Sequence, residues 1–409
     1  MVVGAGIVGI CCALELQRRG WRVSLLDRQA PAQACSYGNA GILAAQGVVP
    51  MALPGLAAEV PHLLLHRDGP LALRLRSLPH TLPWLLRLRR AATLAQARHS
   101  SAAMKALYGS TLQRHRALAV EAGVPELVCE RASLYVHPDP AGIDIVQGLA
   151  WVLRREAGAQ IDWLDAAALR EAEPALSPAL AGGVRMQPMG FTPHPLRLAE
   201  AYAALFVARG GTVRRAEVRA LQPDGDGVVL HTAAERIQGD AAVVAAGAWS
   251  AALLRPLGLR LPLVAERGYH LTVADPGVAL RHVVTELAAH VAVTPMEMGL
   301  RVAGTEEIGR ADDPPTWRRA ERLRGPLQRL LPGLRFHSVT RWMGPRPGTP
   351  DSLPALGAVP GCPRVFVAAG HGHLGLTGAP HTGALIAALV SGQDAGLDLA
   401  PYAPERFNV

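Results

Sequence analysis

The sequence of 409 residues is poor in lysine and cysteine and has no long apolar run. Lys105 is its only lysine although the formal net charge is +8, so arginine carries nearly all of the positive charge. Schiff-base catalysis therefore has one candidate, in a segment without any other catalytic signal. The five cysteines show neither C-x-x-C spacing nor a metal-ligand pattern, which predicts a reducing, cytoplasmic setting and no metal site.

Other absences bear on partners and location. No apolar stretch is long enough to span a bilayer, and an N-terminus with a nucleotide-binding pattern is not expected to be a cleavable signal peptide. Aromatic residues make up only 4% of the chain and the basic residues are scattered, so nucleic-acid binding is not expected. With 50% hydrophobic residues, a chain of this length can form two domains around a large core.

The N-terminus carries the pattern around which the rest of the chain is organised. Residues 3–9 read Val-Gly-Ala-Gly-Ile-Val-Gly, a G-x-G-x-x-G turn. A helical pattern over 7–19 follows and stops at Gly20, and a second apolar run over 21–26 ends in the acid Asp27. This order of strand, glycine turn, helix, strand and acid is typical of a dinucleotide site.

Each position in this motif has a physical role. Gly4 allows the tight turn, Gly6 lets the backbone approach a pyrophosphate, and Gly9 lets helix and strand pack closely. Asp27 is expected to accept hydrogen bonds from a ribose. The motif alone leaves NAD and FAD open. Since only residues 1–3 precede the turn, either the first strand is short or the true start lies upstream.

Later patterns predict returns to the same parallel sheet and excursions into a second domain. Apolar strands that end in small-residue turns occur at 241–250 and 365–375. Residues 261–304 alternate as in an antiparallel sheet. Helical patterns cover 56–120, 143–156, a segment from Pro195, and about 377–390, and further strands are expected at 131–137, 212–221 and 228–232. The predicted fold class is α/β with a second, α+β domain.

Four stretches together resemble the FAD-dependent D-amino acid dehydrogenase and oxidase family, which includes D-hydroxyproline dehydrogenases and glycine and sarcosine oxidases. They are the opening motif, the loop Ser-Tyr-Gly-Asn-Ala-Gly at 36–41, the strand end at 245–250, and the pair formed by 346–351 and 370–375. The resemblance covers essentially the whole chain and favours FAD over NAD.

This resemblance implies a glutathione-reductase-type FAD-binding Rossmann domain and an antiparallel-sheet substrate domain. The implied FAD-binding domain comprises 1–55, 190–255 and 341–409, and the implied substrate domain comprises 56–189 and 256–340. Sarcosine-oxidase relatives attach FAD through a cysteine near the region that is 342–344 here, where this sequence has none. Noncovalent FAD is therefore expected.

The resemblance also implies the residues that contact FAD. They are Gly4, Ala5, Gly6, Ile7, Val8, Gly9, Asp27, Arg28, Ser36, Asn39, Ala40, Gly41, Ile42, Val218, Ala246, Gly247, Trp249, Gly370, Gly372, His373, Leu374, Gly375, Leu376 and Thr377. A helix that begins within 370–377 would direct its free N–H groups at the flavin, where negative charge develops on reduction.

Arg346 is the implied partner of the substrate carboxylate, because a guanidinium binds a carboxylate through two hydrogen bonds. Pairing with Asp351 is the structural alternative for this arginine, and Arg341 is a weaker candidate for the same role. The resemblance places Tyr269 near the carboxylate. His270 and His373 are further candidates for the pocket wall, where a packing or capping role is the alternative.

The implied reaction is oxidation of the Cα–N bond of a D-amino acid by hydride transfer to flavin N5, giving an imino acid and then a 2-oxo acid. It needs no dedicated protein base, and a strong acid–base pair in the pocket would count against it. Secondary amines such as D-hydroxyproline, D-proline, sarcosine or the primary amine glycine are alternative substrates. A flavin-binding subunit of a larger complex is a second alternative.

Residues 60–98 combine leucine-rich faces with arginines and almost no acids. Such a surface suits peripheral contact with anionic lipid, and the family's dehydrogenases pass electrons to a respiratory chain. A quinone acceptor at the inner face of the membrane is therefore expected. The alternative is that these leucines cover the protein's own core.

Overall fold

The computed structural model describes residues 1–56 and 69–407. Its strands are β1 (Val2–Val3), β2 (Ser24–Asp27), β3 (Ile42–Leu43), β4 (Leu71–Leu73), β5 (Cys129–Glu130), β6 (Ser133–Val136), β7 (Gln160–Asp165), β8 (Gly182–Gln187), β9 (Gly190–Phe191), β10 (Thr212–Arg215), β11 (Ala220–Asp224), β12 (Gly227–His231), β13 (Arg236–Gly239), β14 (Ala242–Val244), β15 (Val264–Ala274), β16 (Val283–Glu286), β17 (Val291–Met296), β18 (Gly299–Gly309), β19 (Ser338–Gly348), β20 (Ala355–Val359) and β21 (Cys362–Ala369). Its helices are α1 (Ile7–Arg18), α2 (Leu78–Ala91), α3 (Leu94–Tyr108), α4 (Thr111–Glu121), α5 (Leu149–Glu156), α6 (Ala166–Ala172), α7 (Pro195–Ala208), α8 (Ser250–Leu254), α9 (Arg318–Glu321), α10 (Arg324–Leu330) and α11 (Gly375–Val390).

The first sheet has six strands in the order β10–β2–β1–β14–β21–β20. All neighbours pair in parallel except β20 and β21. Its central strands are short and apolar, and Val2 lies between Leu25 and Val243 in register. Parallel strands place their carboxyl ends at one edge, where ligands bind in such sheets. The glycine turn after β1, Asp27 and the turn after β14 therefore meet there.

The second large sheet has nine strands and is mainly antiparallel. Its order is β19–β15–β18–β17–β16–β6–β8–β7, with β4 also beside β18. Side chains alternate between the two faces of each strand. One face packs Leu271, Val273 and Val302 against Leu323 and Leu327 in the segment of α9 and α10. The predicted fold class, a parallel nucleotide-binding sheet with a second antiparallel sheet, is confirmed by these two sheets.

Two segments lie differently from the predicted division of the chain. Helices α3 and α4 were expected in the second domain, but Met104, Leu107 and Leu112 share a core with Ile10 of α1 and Leu385 of α11. Strand β19 belongs to the antiparallel sheet throughout its length, although residues from 341 onward were expected in the nucleotide-binding domain. The packing of apolar helix faces places α3 and α4, and strand pairing places β19. The sequence alone does not show where either contact is made.

Local predictions were less accurate where the pattern was weak. The helix expected over 143–156 begins only at Leu149, and 71–73 form a strand inside the segment expected to be helical. The part of that segment from 57 to 68 lies outside the described residues. Within 1–56 and 69–407, no helix combines the length and apolar character that crossing a membrane requires.

His115 links the helical layer to the helix that borders the ligand edge. It is fully buried, with Nε2 2.8 Å from the Leu376 carbonyl oxygen and Nδ1 3.1 Å from the Tyr202 hydroxyl. Burial lowers the pKa of His115 from the usual 6.5 to about 4. The ring is therefore neutral in the folded protein at neutral pH.

We expect this histidine to make the protein sensitive to acid. The unfolded state protonates it below pH 6.5 and the folded state resists protonation until about pH 4. Its contribution to the free energy of unfolding is therefore complete at high pH and falls by about 2 kcal/mol between pH 8 and pH 5. Thermal melts of His115→Gln should show a shallower loss of stability over this range than wild type. The exposed His337→Gln is the control, and equal slopes in all three proteins would contradict the prediction.

Candidate active site

A cavity of about 1090 Å³ is lined by residues from both large sheets. The edge of the first sheet contributes the turns after β1, β2, β14 and β21. The antiparallel sheet contributes β17, β18 and β19. The cavity thus lies where the carboxyl ends of the parallel strands face the second sheet.

The glycine motif forms the wall of the cavity at the start of α1. Gly4 has φ +105°, which a residue with a side chain rarely adopts, and a Cβ on Gly9 would overlap the Gly4 carbonyl oxygen. Asp27 Oδ2 accepts a hydrogen bond of 2.7 Å from the Ala5 amide, and Ser36 Oγ accepts one of 2.9 Å from the Ile7 amide. The predicted turn, helix start and acid are therefore assembled as the motif requires.

One end of the cavity is formed by the residues expected to meet the adenine half of the nucleotide. Val218, Ala246 and Gly247 line it, together with Arg28 and Trp249. The Arg28 guanidinium carbon lies 4.1 Å from the centroid of the Trp249 ring. A flat, partly apolar wall of this kind suits an aromatic base.

The 36–41 loop forms another wall, and a buried arginine that the sequence analysis did not identify holds it in place. Arg301 Nη1 donates 2.6 Å to the Asn39 carbonyl oxygen, and Arg301 Nε donates 3.2 Å to Thr272 Oγ1. Asn39 Oδ1 accepts from the Gly41 amide at 2.8 Å. Asn39 and its neighbours Ala40 and Ile42 line the cavity, whereas the remaining loop glycine, Gly41, packs behind them.

The start of the last helix borders the cavity on a third side. A 3-10 turn at Gly372–Leu374 leads into α11, and the lining residues run from His371 to Leu376. The first N–H groups of a helix have no acceptor within it, so they are available to a ligand. Gly370 and Thr377 stand behind this surface, where Thr377 Oγ1 accepts from the Ala44 amide at 3.2 Å. His373 lies in this surface and is exposed to the cavity.

Arg346 lines the cavity from β19. A Cβ on Gly268 of β15 would overlap its guanidinium. The arginine crosses β15 at this glycine, and its Nη1 lies 3.4 Å from Glu306 Oε2 on β18. The alternative partner, Asp351, is instead 2.9 Å from Arg406 Nε. The guanidinium is therefore directed at the cavity.

Tyr269 lies elsewhere than the resemblance implied. Adjacent residues of a strand point to opposite faces, so Tyr269 faces away from the side of the sheet that carries Arg346. Its hydroxyl is 2.9 Å from Glu307 Oε2, which also pairs with Arg267. It is fully buried in the apolar core of this sheet. In this structure Tyr269 supports the sheet from behind.

His270 and Arg341 were also predicted near the substrate, but neither side chain lines the cavity. His270 is on the cavity face but lies under Trp342, with ring centroids 5.1 Å apart and an interplanar angle of 18°. Its Nδ1 is 3.1 Å from the Gly38 carbonyl oxygen, and burial lowers its pKa to about 3. Arg341 lies on the opposite face of β19 from Arg346, 4.7 Å from the Trp317 ring centroid. Trp342, which was not predicted, lines the cavity itself.

Two glutamates beside Arg346 were missed by the sequence analysis. Glu306 lines the cavity, and Glu266 pairs with Arg346 in the register of β15 and β19. They stand 40 residues apart in the chain, so no local motif joins them, and only the strand register brings them together.

The comparisons with known proteins agree with this geometry. The family model described as FAD dependent oxidoreductase matches residues 1–389. The chain belongs to this FAD-dependent oxidoreductase family. A D-amino-acid oxidase from Bradyrhizobium diazoefficiens is 38% identical over 99% of this chain and 98% of its own. A D-amino acid dehydrogenase from Rhizorhabdus wittichii is 32% identical over 100% and 99%. The crystal structure of glycine oxidase from Geobacillus kaustophilus matches with a TM-score of 0.75 and 26% identity, over 99% of this chain and 97% of that one.

The residues present fit the FAD that this family uses. A Cβ on Gly6 would meet only Ser36 Oγ, at 3.4 Å, so the space over this backbone is open to the cavity. The α1 N-terminus favours a pyrophosphate there. Asp27 borders the cavity at the position suited to a ribose. The predicted cofactor, FAD, is confirmed by the family.

We expect the purified protein to be yellow and to release its FAD on acid denaturation. Cys35 lines the cavity, but burial raises the pKa of its thiol to about 12, and Sγ donates to the Pro345 carbonyl oxygen at 3.0 Å. A thiol is a poor nucleophile, so a covalent link through Cys35 is not expected. Absorbance of the supernatant after precipitation tests this. Flavin retained on the precipitate would contradict it, and Cys35→Ser would then identify the attachment point.

Proposed function

We propose that this enzyme oxidises the Cα–N bond of a D-amino acid, giving an imino acid that water hydrolyses to a 2-oxo acid. The observation that carries the proposal is Arg346, a guanidinium that lines the same cavity as the helix start at Gly372. Such a group fixes an α-carboxylate in one orientation. The names of the two relatives with D-amino acid substrates support the same substrate class.

The chain's own residues supply binding and orientation. Arg346 would hold the substrate carboxylate, and Trp342 would form an apolar wall beside it. FAD, when bound, supplies the acceptor for a hydride. The amides at the start of the 3-10 turn and α11 would stabilise negative charge at the cofactor.

The test is anaerobic reduction of the bound flavin by a substrate panel. Paired D- and L-enantiomers of alanine, methionine, phenylalanine and arginine should be compared at equal concentration. Bleaching by D-enantiomers, with the L-enantiomers inactive, is the expected result. Bleaching by L-enantiomers alone would overturn the proposed stereochemistry.

Small or secondary amines are the second candidate substrates, favoured by the likeness to glycine oxidase over nearly the full chain. Glycine, sarcosine, D-proline and D-hydroxyproline therefore belong in the same panel. Faster bleaching by any of these than by D-alanine would favour this candidate.

We further propose that electrons pass to a quinone at a membrane surface. On α2, Leu82 and Leu86 are one helical turn apart and are 47% and 48% exposed, close in sequence to Arg89 and Arg90. Other apolar residues of the predicted segment have a structural role, because Trp84 and Leu88 are buried against Val264 and Ile308. Leu63–Leu65 lie outside the described residues.

Two measurements test this acceptor and surface. Reduction of a soluble quinone should be faster than peroxide production from oxygen, and the protein should sediment with anionic liposomes at low salt. The double variant Leu82→Ser, Leu86→Ser should lose sedimentation, whereas Val120→Ser, Val207→Ser, which removes exposed apolar residues elsewhere, should keep it. Rapid peroxide production with no liposome binding would make the enzyme an oxidase without a membrane contact.

A further inference from the structure

Two carboxylates accompany Arg346 on the cavity face of the antiparallel sheet. Residues directly opposite one another in an antiparallel pair share a face. Glu266 is opposite Arg346, and Glu306 is opposite Gly268. Since Gly268 has no side chain, the guanidinium, both glutamates and the cavity wall meet in one place.

The hydrogen bonding of these carboxylates is incomplete. Glu306 Oε2 is 3.4 Å from Arg346 Nη1, but neither Glu306 Oε1 nor Glu266 Oε2 has a hydrogen-bond partner among the described residues. Glu266 is only 3% exposed. Buried carboxylate oxygens without partners are costly, which indicates that a proton or a ligand completes this cluster.

The charges divide unequally between the two glutamates. Burial raises the pKa of Glu266 well above its usual range, the charge of Glu306 raises it further, and Arg346 opposes the rise. Burial also raises the pKa of Glu306, while Arg346 and Arg319 oppose that rise. Among the described residues, Arg346 is within ion-pair distance of Glu306, at 3.4 Å, and not of Glu266, which assigns the negative charge to Glu306 and the proton to Glu266.

We propose that Glu306 accepts the proton that the substrate's ammonium group must lose before oxidation, and that Glu266 is a positioning residue. This inference rests on the proposed function. In an amino acid one carbon joins the carboxylate and the ammonium. A carboxylate that faces the cavity beside the arginine is therefore placed for the ammonium when the arginine holds the substrate's carboxylate.

The step balances in atoms and charge. An N–H bond of the ammonium breaks and its electron pair stays on nitrogen, while an O–H bond forms on Glu306. No atom changes oxidation state. The substrate carboxylate then replaces Glu306 as the counter-ion of Arg346, which avoids two ionised carboxylates on one buried guanidinium.

From the sequence alone, an acid–base pair in the pocket counted against direct hydride transfer. The pair of Glu266 and Glu306 acts on the nitrogen of the substrate, and the Cα–H bond is broken only in the hydride transfer. It lets the enzyme bind the zwitterion, the form of an amino acid that predominates at neutral pH.

The decisive experiment is the pH profile of kcat/KM with D-alanine for the holoenzyme and its Glu306→Gln variant. Wild type should be nearly independent of pH between 7 and 9, because the zwitterion and ionised Glu306 both predominate. The variant binds productively only substrate that is already deprotonated, so its kcat/KM should rise about tenfold per pH unit. Glu126→Gln, at an exposed ion pair with Arg197, is the matched control and should keep the wild-type profile.

A second measurement does not depend on turnover. Propionate carries a carboxylate but no ammonium. When it replaces Glu306 as the counter-ion of Arg346, Glu306 must take its proton from solution, so binding to wild type should be accompanied by the uptake of about one proton. Calorimetry in buffers of different ionisation enthalpy reports this uptake. It should vanish in Glu306→Gln and persist in Glu266→Gln. Loss of uptake in Glu266→Gln but not in Glu306→Gln would overturn the assignment of the acceptor.

Other outcomes are equally distinct. A loss of kcat/KM in Glu306→Gln that is equal at every pH would show that Glu306 only holds Arg346, and would overturn the proposal. If that variant fails to retain FAD, Glu306→Asp keeps the carboxylate and should give a flat profile, whereas a sloped one would overturn it. Wild type that oxidises no D-amino acid at any pH refutes the proposed function, while propionate-linked uptake still reports on the pair.

Discussion

Replacing Arg346 with lysine is expected to raise KM for the amino acid roughly 10- to 150-fold while FAD stays bound. Lysine keeps the positive charge but loses the fork that binds both carboxylate oxygens. The loss corresponds to about 1.5–3 kcal/mol, the scale of one hydrogen bond to a charged group. Arg346 crosses Gly268 to reach Glu306. Because a lysine side chain is shorter, its ammonium group should also pair less well with Glu306. Steady-state kinetics with flavin absorbance measured in parallel test the prediction.

Arg341→Lys is the matched control for this variant. Arg341 is on the same strand, but its side chain lies on the opposite face, half exposed and 3.8 Å from Glu321. Its replacement should leave KM within about twofold of wild type, the range of a surface ion pair. A large effect at Arg341 and none at Arg346 would move the carboxylate site to the other face of the sheet.

The parts of the site that are continuous in sequence could be predicted. In the glycine motif, the turn, the helix start and the acid lie within 27 residues, and each position has a backbone reason that a single sequence reveals. The same holds for the strand-to-turn segments at 241–250 and 365–375. Family membership and FAD, which these segments implied, are confirmed by the comparisons.

The substrate side could be predicted only in part, because it depends on which face of a strand each residue occupies. Arg346 was identified from its own motif, but Tyr269 lies behind the sheet. A register shift between Tyr269 and His270 in the pairing of β15 with β18 also changes which neighbours they meet. Glu266 and Glu306 come from different strands, and their closeness depends on Gly268 and on the pairing of three strands. The alternation of side chains along the strand at 264–274 could have predicted that Glu266 shares a face with His270. It could not have predicted that Glu266 lies beside Arg346.

Replacing Gly9 with alanine is expected to destabilise the protein by more than about 3 kcal/mol and to abolish FAD binding. The added Cβ would overlap the carbonyl oxygen of Gly4, and this atom belongs to the backbone of the turn that follows β1, so no side-chain rotation relieves the clash. Relief requires α1 to move away from the first sheet, which opens the packing of Ile10 and Leu14 in the main core. The same movement would displace the N–H groups at the start of α1, where a pyrophosphate is expected to bind. Gly325→Ala is the control, because the new Cβ would meet only the flexible end of Arg329, at 3.5 Å. Thermal melts of the apoproteins and flavin content after purification test both changes. A Gly9→Ala protein that melts with wild type and remains yellow would show that the turn and helix can separate without losing the cofactor, contrary to the close packing of Gly9 on Gly4.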